Sequence, residues 1–214
     1  MTKIVIIGEN CTDKFIYGSV NRLCPEAPVP ILNPYKTTKN PGMAGNVVEN
    51  VKALKKDCDI TFIHQESKIV KTRFVDEQSN QMIIRVDEGE DNIKPLVMTE
   101  ELIDVISKAD IVIVSDYNKG FLQYEFCEWL TNKFINIPIF VDSKKKDLSC
   151  FNNSYIKLNK KEYEELIKIN DNICHNITNC YISIQKNNFL DYLLFLHANS
   201  HPFQSKYGCG YLLL

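Results

Sequence analysis

The chain has 214 residues, 44% of them hydrophobic, which is enough for one sizeable core and, at roughly 100–200 residues per domain, for one domain with at most a small appendage. A formal net charge of −2 and a pI of about 6.1, with both signs interleaved, exclude a surface built for nucleic acid or an anionic membrane. No apolar run approaches the ~20 residues of a membrane helix, and the start MTKIVIIGEN is too short in its apolar part and too soon acidic for a signal peptide, so a cytoplasmic protein is expected. The eight cysteines (11, 24, 58, 127, 150, 174, 180, 209) form no C-x-x-C pair, and the four histidines (64, 175, 197, 201) keep no finger spacing with them. Free thiols are therefore expected, not a zinc site or a disulfide framework.

In chain order, Lys3–Ile7 reads as a buried first strand that delivers Glu9 and Asp13 to its carboxyl end, the edge where open α/β sheets bind ligands. Two carboxylates there suit sugar hydroxyls; a turn cap at Asp13 and a solvated Glu9 account for the same letters. Phe15–Tyr17 and Val29–Leu32 read as short extended pieces around a turn at Gly18–Asn21, a small sheet beside the main one. Pro41, Gly42 and Gly45 then open an amphipathic helix with Val47, Val48, Val51 and Leu54 on one face. Small residues at such an entry let a ligand approach backbone N–H groups, and Asn46 both donates and accepts; a tight turn that packs closely is the plain alternative.

These two segments, GENCTDKFIYGSVNRLCPEAPVPILNP and NPGMAGNVVEN, resemble the N-terminal part of ribokinase-like (phosphofructokinase B type) carbohydrate kinases. Within them they look most like the heptose-7-phosphate kinase domain of bifunctional ADP-heptose synthases. The resemblance implies a three-layer α/β sandwich with a mostly parallel central sheet and a small β-lid. It implies an ATP-dependent phosphotransferase using Mg²⁺, with Asp13, Gly42 and Asn46 at positions that contact the sugar. Glu9 and Met43 depart from the aspartate and second glycine usual there, which leaves the sugar open.

Ile60–His64 reads as the next strand, after which the resemblance would insert a helix–strand unit that this chain lacks. Ile69–Val75 and Met82–Asp87 alternate as a β-hairpin around Glu77–Gln81, carrying Lys71, Thr72, Arg73 and Arg85. The matching segments of the family lie near the sugar, where cations pair with a phosphorylated substrate; solvated charges on a strand face are the competing explanation. Thr99 caps a helix with Leu102, Ile103, Val105 and Ile106 inward. Strand Ile111–Val114 ends in SDYNKG, which places Asp116 at a carboxyl edge; the family's Ser-Asp-Tyr-x-Lys-Gly segment implies that Asp116 and Lys119 lie in the cleft. Helix Tyr124–Phe134 leads to strand Ile139–Val141, and Asp142 and Lys144 correspond to an Asp-Pro-Lys with Ser143 for proline. A solvated run at Lys144–Lys146 stays open beside that. After strand Tyr155–Leu158, Asn159 and Glu162 open a helix. By spacing they make a cap, whereas the resemblance assigns Asn159 and Glu162 to Mg²⁺ waters and phosphate, with Glu162 as the metal-side carboxylate.

Tyr181–Ile184 reads as one more strand, beyond which the family pattern fades. Where the resemblance would put Gly-x-Gly-Asp, the catalytic turn, the chain has Gly208-Cys209-Gly210-Tyr211, and a phenol with pKa about 10 is no substitute for the base. No catalytic residue is therefore assigned. The fold is expected to be truncated at its C-terminus, with 1–170 an incomplete kinase domain and 171–214 an aberrant tail such as a shifted reading frame produces. The expected partner is a small sugar or sugar phosphate; a homodimer is left open. Two activities follow: phosphoryl transfer from ATP to a sugar hydroxyl, with heptose 7-phosphate as the candidate, or a catalytically inactive relative that retains only sugar binding.

Overall fold

A computed structural model of the chain describes residues 1–169, 181–185 and 210–213. The β-branched start forms β1 (Thr2–Gly8), followed by β2 (Asn10–Leu23), β3 (Pro30–Met43), α1 (Ala44–Leu54), β4 (Cys58–Ile63), β5 (Val70–Asp76) and β6 (Gln81–Glu88). Then come α2 (Glu100–Ser107), β7 (Ile111–Asp116), α3 (Tyr124–Lys133), β8 (Ile139–Ser143), β9 (Tyr155–Asn159), α4 (Lys160–Ile169), β10 (Tyr181–Gln185) and β11 (Gly210–Leu213). Single 3-10 turns lie at Glu90–Asn92 and Ser149–Phe151.

The larger sheet runs β11-β10-β9-β8-β7-β1-β4, and every described pairing in it is parallel. The runs Ile4–Ile7, Ile111–Val114 and Ile139–Val141 within it are continuously apolar because both faces are covered there. On one face Ile4, Ile6 and Ile113 pack against Val47, Val48 and Val51 of α1. On the other, Val5, Ile7, Val112 and Val114 meet Leu102 and Ile106 of α2 and Phe126 and Leu130 of α3. Helix, sheet and helix make three layers, and each fully buried aliphatic or aromatic side chain contributes about 1.5–3 kcal/mol. The expected cap is present: Thr99 Oγ1 accepts from the Leu102 N–H at 3.2 Å. Among the described residues, no helix is long and apolar enough to cross a membrane.

The second sheet, order β3-β2-β5-β6, is the small lid. Its first hairpin is longer than the sequence suggests. No turn forms at Gly18–Asn21; β2 runs through it to Leu23, with register shifts between Tyr17 and Gly18 and between Val20 and Leu23. The reversal falls at Cys24–Val29, where the Cys24 N–H donates to the Val29 carbonyl at 2.8 Å. The physical reason is that Gly18 and Asn21 are absorbed as bulges in a strand paired on both sides, while the prolines at 25 and 28 break the pairing.

One residue joins the two sheets. β1 ends at Gly8, β2 starts at Asn10, and Glu9 between them has no exposed surface. Its carboxylate accepts the backbone N–H groups of Tyr117 (2.8 Å), Lys119 (3.0 Å) and Phe121 (3.3 Å), and its carbonyl accepts from Ala44 at the start of α1 (2.9 Å). Across the junction, Met43 ends β3 at φ 51°, ψ −132°, a conformation that disfavours any side chain. That is the position where a glycine is expected from the resemblance. Met43 is nonetheless buried with Cys11 and Ile69.

Removing the buried Glu9 carboxylate strands the three backbone donors that the loop Tyr117–Phe121 turns inward onto it, so Glu9→Ala is expected to lower stability by about 3 kcal/mol or more in urea unfolding. Burial chiefly, with the Asp116 charge adding and the backbone donors opposing, holds the Glu9 carboxyl above its ordinary 4.5. The folded chain therefore keeps this proton to higher pH than the unfolded chain. Stability from this group is lost as pH rises from about 4.5 through the folded value, and Glu9→Gln is expected to lack that slope. At the junction, Met43→Gly is expected to unfold about 1 kcal/mol later than Met43→Ala, although glycine ordinarily weakens a helix start relative to alanine, because only glycine relieves the backbone.

Candidate functional site

The carboxyl ends of β1, β7, β8 and β9 carry Glu9, Asp116, Asp142 and Asn159. The register aligns them: Gly8 lies beside Ser115, Ser115 beside Asp142, and Asp116 beside Ser143. This is the edge where doubly wound sheets gather ligands. Glu9 fixes the backbone of the loop Tyr117–Phe121 above it, so the loop's side chains are presented from a rigid base. Asp116 is fully buried and held by the Asn118 N–H (2.8 Å), the Ser143 hydroxyl (2.6 Å) and Lys145 Nζ (3.2 Å). Lys145 also donates to the Leu122 carbonyl at 2.6 Å.

The lid lays a second set of charges over this edge. Asp13 pairs with Arg73, and Arg73 lies over the Phe15 ring at 5.1 Å. Gly42 is the floor beneath Asp13: a Cβ there would stand 2.4 Å from Asp13 Oδ2 and 2.5 Å from Cys11 Sγ. Arg85 grips Asp87 with two 2.7 Å hydrogen bonds, which chiefly lower the Asp87 carboxyl to about 2. Lys71, only 8% exposed, contacts Asp87 at 3.3 Å and Glu90 at 2.5 Å, and the other oxygen of Glu90 accepts from Lys119 at 2.6 Å. Lys119 first and Lys71 second hold the Glu90 carboxyl below its usual range. Asp13, Lys71, Arg73, Arg85 and Lys119 thus meet at one junction, whereas Asn46 is exposed on the first turn of α1.

A third group lies at the ends of β8 and β9. Lys144 Nζ reaches Asp142 (3.0 Å) and Glu162 (2.6 Å), and Lys157 takes the other Asp142 oxygen at 2.8 Å. Asn159 and Glu162 form a reciprocal cap on α4, each side chain accepting the other's backbone N–H at 2.9 Å. An open cavity of about 670 Å³ here is lined by Lys144, Lys145, Lys146 and Lys161 together with Glu162 and Glu165, over Leu148 and Leu158. Tyr117 stands between the groups: burial mostly, then Asp142, raises its phenol, and Asp13 adds from the other side.

Asp87, Glu90, Lys145 and Lys157 were missed by sequence reasoning. The signal for Glu90 was present in Glu88-Gly89-Glu90-Asp91, a glycine turn that ends a lid strand in acids. Of the catalytic-turn fragment, Gly208 and Cys209 lie outside the described residues, and Gly210 and Tyr211 fall in β11.

No family model matches the chain. Among curated proteins it is 33% identical over 202 residues to the bifunctional protein HldE of Helicobacter pylori strain J99, covering 79% of this chain and 43% of that protein. The HldE of Campylobacter curvus is 27% identical over 197 residues, covering 76% and 41%. The chain thus spans about two-fifths of the length of the curated relatives it matches. Among solved structures it is similar to a carbohydrate kinase from Agrobacterium tumefaciens (11% identity, TM-score 0.52, 78% of this chain and 63% of that one). It is likewise similar to ribokinase from Thermotoga maritima (13%, 0.51, 86% and 72%) and to phosphofructokinase-2 from Escherichia coli (15%, 0.51, 78% and 63%). The chain is a homologue of part of the bifunctional HldE proteins, with the fold of the ribokinase-like carbohydrate kinases.

Proposed function

We propose that this chain binds a phosphorylated sugar between the lid and the carboxyl edge of the main sheet, as the substrate half of an ATP-dependent sugar kinase, with heptose 7-phosphate as the candidate. The observation that carries the reading is the junction itself: Asp13, over a glycine floor at Gly42, stands among Lys71, Arg73, Arg85 and Lys119, whose other carboxylate partners are Asp87 and Glu90. A carboxylate accepts sugar hydroxyls, and clustered cations accept a phosphate. The buried lysine and the paired arginine are preorganised, so little side-chain entropy is lost on binding.

The cavity at Asn159 offers Lys144, Lys146 and Lys161 to the polyphosphate of ATP; bound there, ATP would supply the phosphoryl group. Mg²⁺ fits the described residues less well. No group of three His, Cys, Asp or Glu side chains gathers among them, and both oxygens of Glu162 are taken by Lys144 and the Asn159 N–H. Glu162 acts here on its lysine and its helix cap, and no step is assigned to a metal. Binding without turnover is the second reading, favoured by Tyr211 standing where a carboxylate base is expected.

Coupled ADP release and calorimetry with heptose 7-phosphate separate the two: turnover sinks the non-catalytic reading, and binding without turnover sinks the kinase reading. Under either one, Asp13→Asn and Gly42→Ala are each expected to weaken sugar-phosphate binding by about tenfold or more, the second by displacing Asp13. Unchanged binding in both variants removes the sugar from this junction.

A further inference from the structure

Glu90 belongs to neither sheet. It opens the 3-10 turn that follows β6, and Gly89 before it sits at φ 84°, where an added Cβ would lie 2.1 Å from the Lys68 carbonyl. The turn is thereby fixed to glycine, and the side chain after it is aimed into the junction. The following segment is tied down as well, because the Leu96 N–H donates to the Phe121 carbonyl at 2.8 Å and Ile93 packs on Cys11, Met43 and Ile69. From this anchored position the Glu90 carboxylate bridges Lys71 of the lid and Lys119 of the β7–α3 loop, one oxygen to each, with only 22% of its side chain exposed. Lys71 has a second carboxylate in Asp87, whereas among the described residues Lys119 pairs with Glu90 alone.

We propose that Glu90 is an internal competitor at the sugar-phosphate site: an anion that holds the two lysines until the phosphate of the ligand replaces it. The inference rests on the reading above and adds to it the group whose displacement sets the affinity for the phosphate. A phosphate monoester carries about −1.5 to −2 charge and three acceptor oxygens, so it outcompetes one carboxylate for two ammonium groups. A neutral sugar offers nothing that displaces Glu90, and the lid stays clasped to the main sheet. Glu90 therefore lowers affinity for an anion that takes both lysines and leaves the affinity for uncharged relatives of the ligand unchanged. Displacement breaks no covalent bond; two ammonium–carboxylate contacts are exchanged for two ammonium–phosphate contacts.

The test is calorimetric titration of the unaltered chain, Glu90→Gln and Glu90→Asp with heptose 7-phosphate, with the same sugar lacking its phosphate, and with inorganic phosphate. Glu90→Gln is expected to bind both phosphates about tenfold more tightly and the neutral sugar unchanged, and Glu90→Asp, too short to span both lysines, to fall between. Equal or weaker phosphate binding in Glu90→Gln overturns the proposal, as does parallel weakening for all three ligands, the mark of a purely structural clasp. If no sugar binds any of the three proteins while Glu90→Gln still binds inorganic phosphate more tightly, the sugar-phosphate reading falls and the displaced-anion role stands. If none of the three ligands binds any of the three proteins, both fall.

Discussion

The arrangement of this molecule depends on a buried carboxylate that carries no assigned chemistry. Glu9 is the single residue between β1 of the main sheet and β2, an inner strand of the lid. Its carboxylate organises the loop after β7 through three backbone N–H groups, and its carbonyl receives the first N–H of α1. A charge removed from water is costly unless its hydrogen bonds are complete. Here they are supplied by backbone, whose geometry is stiff, so the angle between lid and sheet is set at one point. Every candidate ligand group is placed relative to that point: Asp13 is four residues further along β2, and Lys119 lies in the loop that Glu9 holds.

Both halves of the site share one electrostatic plan. Lysines are oriented by internal carboxylates, Lys71 and Lys119 by Asp87 and Glu90, Lys144 and Lys157 by Asp142 and Glu162. Such pairs add little to stability where they are exposed. Their effect is to hold cations in place, which under the proposed function reduces what anion binding must order. On that reading an incoming phosphate exchanges partners and does not meet bare charge.

Much of this was legible in the residues. The runs IVII and IVIV announced strands buried on both faces, and the acids directly after them marked the carboxyl edge. Thr99 and Asn159-x-x-Glu162 declared their helix starts through short-range hydrogen-bonding chemistry. The lid hairpin was harder, because Gly18 and Asn21 are turn residues locally and the pairing that absorbs them as bulges is a tertiary effect. The roles of Glu9 and Glu90 were hidden for a related reason. Glu9 binds a loop 108 residues or more away, and Glu90 bridges two lysines that only the fold brings together. Met43 was visible as an oddity, and its positive φ supplies the physical reason glycine is expected there.

The most direct measurement is a crystal structure of the chain with heptose 7-phosphate bound. The expected result places the phosphate between Lys71 and Lys119 with Glu90 turned out of the junction, and a sugar hydroxyl on Asp13. A ligand bound elsewhere, or one that leaves the Lys71–Glu90–Lys119 bridge intact and Asp13 paired only with Arg73, would contradict the assignment of this junction as the sugar-phosphate site.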